Sequence, residues 1–265
     1  MTPTAPSRRP SARLAWQAIL DGLMLLLWGI MLARFAITGK LYLLLHPDYM
    51  WLSHMAMVML LGLGGLRLVQ VGLSLAGPRR RSSPRSQEHI ALLPRQLSSG
   101  LLMGIAIFGL IYTPRPFTSE TAFQRGITDV LGQTRSRPQR FALGGASEER
   151  TIVDWVRTLN VYPEPDAYTD QGVKVTGFAT HMPGWPDDKF MISRFVLTCC
   201  AADAYPVGLP VELPAGTPRP EPDSWLEVTG KMQTATLDNK RQLVVGSATL
   251  TPIPEPRNPT NINYY

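Results

Sequence analysis

Three apolar stretches lie within the first 114 residues, and they constrain this chain more than any other feature. A helix needs about 20 predominantly apolar residues to cross the hydrocarbon of a bilayer. The first stretch covers about 14–33, with Gln17 and Asp21 in its opening half. The second covers about 51–75 and is interrupted by His54 and Arg67; the third, about 96–114, carries no charge. Residues 1–112 are therefore expected to form a membrane region with three transmembrane helices.

The first stretch also has the outline of a cleaved signal: Arg8, Arg9 and Arg13 precede an apolar run at 22–33. Two more spans follow it, so the chain stays in the bilayer with or without cleavage, and an uncleaved first helix is favoured. Orientation follows the basic residues beside each span. Eight (Arg8, Arg9, Arg13, Arg79, Arg80, Arg81, Arg85, Arg95) lie before span one or between spans two and three. Four (Arg34, Lys40, Arg115, Arg125) lie in the other two segments. That asymmetry puts the amino terminus in the cytoplasm of a bacterial plasma (inner) membrane. An odd number of spans then puts the carboxyl-terminal domain outside.

Charges within a span are costly and usually paired. Asp21 and Arg67 both lie about 10–12 Å deep at about 1.5 Å per residue, which makes them a candidate intramembrane ion pair; the alternative is that each snorkels to the interface. Gly100 and Gly104 form a GxxxG spacing, and Gly62, Gly64 and Gly65 leave span two open to close helix approach.

The overall 45% of hydrophobic residues resembles that of a globular protein, but it averages two unlike halves. The net charge of +6 comes from arginines beside the apolar runs, which suits contact with a lipid bilayer rather than nucleic acid. Residues 113–146 are rich in Pro, Arg, Ser, Thr, Gln and Gly without a period, and read as a linker. A short helix should open the domain at 147–265. Ser147 is its expected N-cap, and Ile152, Trp155, Val156 and Leu159 share a face.

The period then changes to two. Strands are expected at about 173–181, 190–198, 225–233 and 242–253, with turns at 181–188 and 238–240. The fold class that follows is membrane α plus a soluble all-β domain, most simply a small OB-like barrel.

Residues that could carry chemistry are few. Cys199 and Cys200 are the only cysteines, and neighbours in sequence cannot form an ordinary structural disulfide. Together with Asp203, and with His181 completing the set, they form a candidate metal or thiol site for a soft metal ion. Adjacent side chains on a strand point in opposite directions, so both thiols reach one ion only if the chain bends at Cys199. The competing reading is a buried thiol beside an incidental one. Arg194 is expected at a sheet edge or against a carboxylate such as Asp203, and His181, at a strand end before Pro183-Gly184, is first read as a solvated turn residue. No nucleophile elbow, zincin helix, phosphate loop or dinucleotide fingerprint is present, so no catalytic residue is assigned and no enzymatic activity is expected.

Residues 194–211, RFVLTCCAADAYPVGLPV, resemble the hallmark of a bacterial family of predicted permease subunits. The likeness extends to VKVTGF (173–178), WLEVTG (225–230) and, more weakly, 114–127. Members carry amino-terminal spans and a carboxyl-terminal domain of unknown function, and they look like partners of a separate, larger predicted permease. The resemblance therefore implies a non-catalytic, membrane-anchored accessory subunit. A membrane-anchored metal-binding or thiol-redox module is the alternative. Many members have a His-rich stretch between spans two and three; this chain has Arg and Ser there with only His89, which weakens any inference of metal transport.

Overall fold

The structure, a computed structural model, describes residues 12–76, 95–112, 117–127 and 147–260. The basic residues at 8, 9 and 79–85, together with His89, lie outside them. Two compact units result, one within Met1–Leu41 and Pro47–Pro114, the other within Tyr42–His46 and Arg115–Tyr265.

The first unit is helical: α1 (Ala12–Ile37), α2 (Met50–Ala76) and α3 (Arg95–Ile111). Two helices, spanning Trp16–Ile37 and Pro47–Ala76, are long and apolar enough to cross a membrane, and Leu97–Ile111 is a shorter apolar helix. α1 packs against both α2 and α3. Its seam with α2 needs glycine. A Cβ on Gly29 would stand 2.7 Å from the Leu61 side chain, and one on Gly64 2.9 Å from that of Leu26. Against α3, the Trp28 indole N–H donates to the Leu102 carbonyl at 3.1 Å, and the Arg34 guanidinium reaches the Leu110 carbonyl.

This seam explains why the expected Asp21–Arg67 pair does not form among the described residues. Gly22 faces Leu68, so Asp21, one residue back, turns toward α3, where Ser99 Oγ donates to its carboxylate at 3.2 Å. Arg67, beside Leu68, is turned off the seam and is exposed.

The second unit has five strands: β1 (Gly172–Thr180), β2 (Lys189–Val196), β3 (Tyr205–Glu212), β4 (Trp225–Leu237) and β5 (Lys240–Pro252). They pair in the order β1-β2-β3-β5-β4, and β4 returns to β1, so the ladders close on themselves. Four of the five ladders are antiparallel. The fifth, β3 with β5, is parallel and rests on one residue pair, Val211 with Val245. Asp238 and Asn239, both at positive φ (50° and 60°), make the tight β4–β5 turn that the Asp-Asn sequence favours. Gly230 stands at a bulge, where the β4–β5 register shifts between Thr229 and Lys231.

The helix expected at the head of this domain is α5 (Ile152–Val161). Its N-cap is Thr151, not Ser147, which instead opens a short 3-10 turn at Ser147–Glu149. Thr151 Oγ1 accepts from the Asp154 N–H at 3.2 Å and Asp154 Oδ2 accepts from the Thr151 N–H at 3.1 Å, a closed capping box. Ile152, Val153, Trp155 and Val156 are buried and join Val173, Ile192, Leu209, Val228 and Val245 in one core. The expected linker is not featureless either. Within 117–127, α4 (Ser119–Gln124) is capped by Thr118, and Ala122 and Ile127 are buried against Phe178, Phe195 and Met182.

Candidate functional site

The loop joining β2 to β3 presents the double cysteine. Leu197 and Ala204 are buried and anchor its two ends, while Thr198, Cys199 and Asp203 are exposed. β2 ends at Val196, so the chain bends before the cysteines, the condition for both thiols to face one point. Cys199 Sγ donates to Cys200 Sγ at 3.5 Å, and the two thiols and the Asp203 carboxylate lie within 4.8 Å of one another.

Asp203 shapes this bend. Its carboxylate accepts the backbone N–H groups of Thr198 (3.3 Å), Cys199 (2.9 Å) and Cys200 (3.2 Å). Three backbone donors thus converge on one side chain, that of an aspartate three to five residues further on. Partial burial pushes the Asp203 carboxyl up, but hydrogen bonds from the Cys199 thiol and from the Cys200, Cys199 and Thr198 amides outweigh it and hold the acid below its ordinary value. The Cys199 thiol is pushed up to about 11, first by its hydrogen bond to Cys200 and then by its hydrogen bond to Asp203.

Two further segments brace the loop. Arg125 Nη1 donates to the carbonyl of Ala201 at 3.0 Å and to that of Ala204. Leu44–His46, just after a 3-10 turn at Lys40–Leu43, lies along it as a short antiparallel strap, with Leu45 bridging Cys200. The His46 N–H donates to the Cys199 carbonyl at 3.0 Å and the Ala201 N–H to the Leu44 carbonyl at 2.8 Å.

The other expected site residues stand elsewhere. His181 does not join the thiols: its Nε2 bonds the Pro220 carbonyl at 2.7 Å, as a turn residue. Arg194 is neither an edge residue nor the partner of Asp203. It is 4% exposed, donates to Thr176 Oγ1 at 3.2 Å and to the Pro259 carbonyl at 3.3 Å, and stacks over Trp225. A cleft of about 340 Å³ lined by Glu148, Lys174, Thr176 and Glu227 opens beside it. A second cleft, of about 420 Å³, lies beside β3 and β5, walled by Leu159, Met182, Trp185 and Leu209. The strap and the Arg125 brace had no local signal in sequence, because both are contacts between distant segments. Asp203, by contrast, is of the residue type that closes such turns locally.

A raised thiol is a sluggish nucleophile. At pH 8 its thiolate fraction is roughly a hundredfold below that of an ordinary cysteine, and the greater reactivity of a more basic thiolate recovers about tenfold of this. Cys199 in the reduced wild-type chain, with the label assigned to each cysteine by peptide mapping, should therefore react with iodoacetamide on the order of tenfold more slowly than a free thiol. The rate should climb steadily with pH toward 11. A rate that levels off by pH 9 would contradict the assigned environment.

Residues 148–261 match the family model described as the DUF1980 C-terminal domain, so the chain ends in a domain of unknown function. No curated protein and no solved structure matches the chain.

Proposed function

We propose that this protein is a non-catalytic accessory subunit of a two-component permease. It is anchored in the bacterial plasma membrane by three spans with its amino terminus in the cytoplasm, and carries an OB-like barrel outside. The observation that carries this reading is the surface of the helical unit. Trp51, Met55, Val58, Leu66 and Leu73 of α2 are all more than half exposed, an apolar face that only lipid or another membrane helix can cover. Glycines on the same helices support a protein neighbour. Gly64 is filled by α1, whereas a Cβ added at Gly62, Gly65 or Gly72, or at Gly100 or Gly104 of α3, would meet nothing from another segment within 4 Å among the described residues. Small residues left open in this way let a further helix approach closely.

α3, at 17 residues, is about 26 Å long, near the thickness of the hydrocarbon layer, which suits a third span. The closed order of the five ladders suits an OB-like barrel. Three helices with so few polar groups form no solute path of their own, so the transport route belongs to a partner, the larger permease subunit that the sequence resemblance implies. Purified from its native membrane in mild detergent, the chain should bring down one larger polytopic protein in a constant ratio. A single homogeneous species, with no membrane partner, would overturn the reading.

A further inference from the structure

The cysteine loop has the makings of a four-donor metal centre, and the strap supplies what the loop lacks. Two thiols and a carboxylate already converge within 4.8 Å. The carboxylate is held in place by backbone amides, so its position is set before any ion arrives. Its Oδ2 accepts one backbone N–H, from Cys199, and an oxygen with two acceptor sites keeps one for a ligand bond.

The register of the strap places a nitrogen donor beside them. Leu45 and Cys200 form the bridge, and the His46 N–H bonds the Cys199 carbonyl, so His46 stands directly opposite Cys199. Residues facing each other across antiparallel chains have Cβ atoms about 5 Å apart and share a side of the ribbon. The imidazole is not among the three groups already gathered. Tyr42–His46 is grouped with the β-domain, so this neighbourhood belongs to one compact unit.

We propose that Cys199, Cys200, Asp203 and His46 form a binding site for a single divalent zinc ion, with His46 as the fourth ligand. Two sulfurs, one nitrogen and one oxygen are a donor set that tetrahedral zinc accepts. Binding releases the two thiol protons, and the ion takes the place of the thiol–thiol hydrogen bond. His181 has no part in it, since its ring is committed to Pro220. The inference stands apart from the permease reading: it concerns one ion and one chain, and holds whether or not a partner subunit exists.

Cobalt(II) is the probe, added to the reduced full-length protein in detergent. The wild type should bind one ion per chain, showing a near-ultraviolet sulfur-to-cobalt band and visible bands of tetrahedral intensity, and zinc should displace it. Cys199→Ser/Cys200→Ser should lose the sulfur band. His46→Ala should keep that band, lose tetrahedral intensity and hold the ion at least about tenfold less tightly. His181→Ala, a change outside the site, should behave as wild type. Hydrogen-exchange protection of β1 and β4 in each variant separates a lost ligand from a lost fold. No cobalt beyond that held by the double cysteine variant would overturn the site. An unchanged spectrum in His46→Ala would overturn the fourth ligand.

Discussion

Replacing Trp155 by alanine is expected to cost the β-domain about 3–5 kcal/mol, the usual range for deleting a fully buried large aromatic. Trp155 has no exposed surface and ties α5 to the strand core. Tyr168 meets its ring edge-on at a centroid distance of 6.0 Å, and the Arg150 guanidinium lies over it at 4.9 Å. A domain of this size is stable by only about 5–15 kcal/mol, so the loss is a large share of the whole. Amide exchange in β1 and β4 of the detergent-solubilised chain should accelerate by roughly two to four orders of magnitude, at about 1.4 kcal/mol per tenfold. Trp155→Phe is the informative companion. The indole N–H has no partner among the described residues, and removing an unsatisfied buried donor relieves a cost of about 1–3 kcal/mol. Phenylalanine should therefore be tolerated far better than alanine. Equal damage from the two would mean that the ring's hydrogen bonding, rather than its volume, had been misjudged.

The second large effect belongs to Gly177. A Cβ there would stand 2.4 Å from the Ser193 carbonyl oxygen and 3.1 Å from Ile192 Cγ1. The first obstacle is main chain of the neighbouring strand and cannot rotate away. Gly177→Ala must therefore push β1 off β2 or bend it, at a cost of about 2–3 kcal/mol by analogy with overpacked cores. With a urea slope of about 1–3 kcal/mol per M, the midpoint of resistance to a brief protease pulse should fall by about 1–2 M. Gly62→Ala, facing open space on α2, should leave that midpoint where it was. A Gly177→Ala midpoint equal to wild type would show that the two strands do not approach as closely as described.

Much of this architecture could be read before the structure, and the exceptions have physical causes. The apolar runs marked α1, α2 and α3 to within a few residues, and alternation marked β1, β2, β4 and β5. β3 escaped because Pro206, Gly208 and Pro210 are poor strand residues in isolation; long-range pairing with β2 holds them extended. The N-cap was misplaced because Ser147 followed by two glutamates and Thr151 followed by Asp154 are both plausible starts, and only the packing of Ile152 and Trp155 decides between them. His181 completed the candidate donor set by residue type alone, and type says nothing of position: its ring bonds the Pro220 carbonyl instead. The place of His46 could not be read at all, since no local pattern announces a backbone pairing with residues more than 150 positions away.

The single β3–β5 pair has a further consequence. A ring of strands breathes at its thinnest joint, and here that joint is Val211 with Val245. Each opening lays bare two strand edges, and a bare edge invites a neighbouring molecule to zip onto it. Proline is tolerated in a ladder only where its missing N–H faces away from the partner strand. Pro206 and Pro210 pair with β2, so the donors they lack are missing from the side turned toward β5. When the ring gapes, β3 thus offers a row of contacts with gaps in it, on which a foreign strand gains little purchase. The same prolines that hid this strand in the sequence thus make its edge a poor template for strand addition.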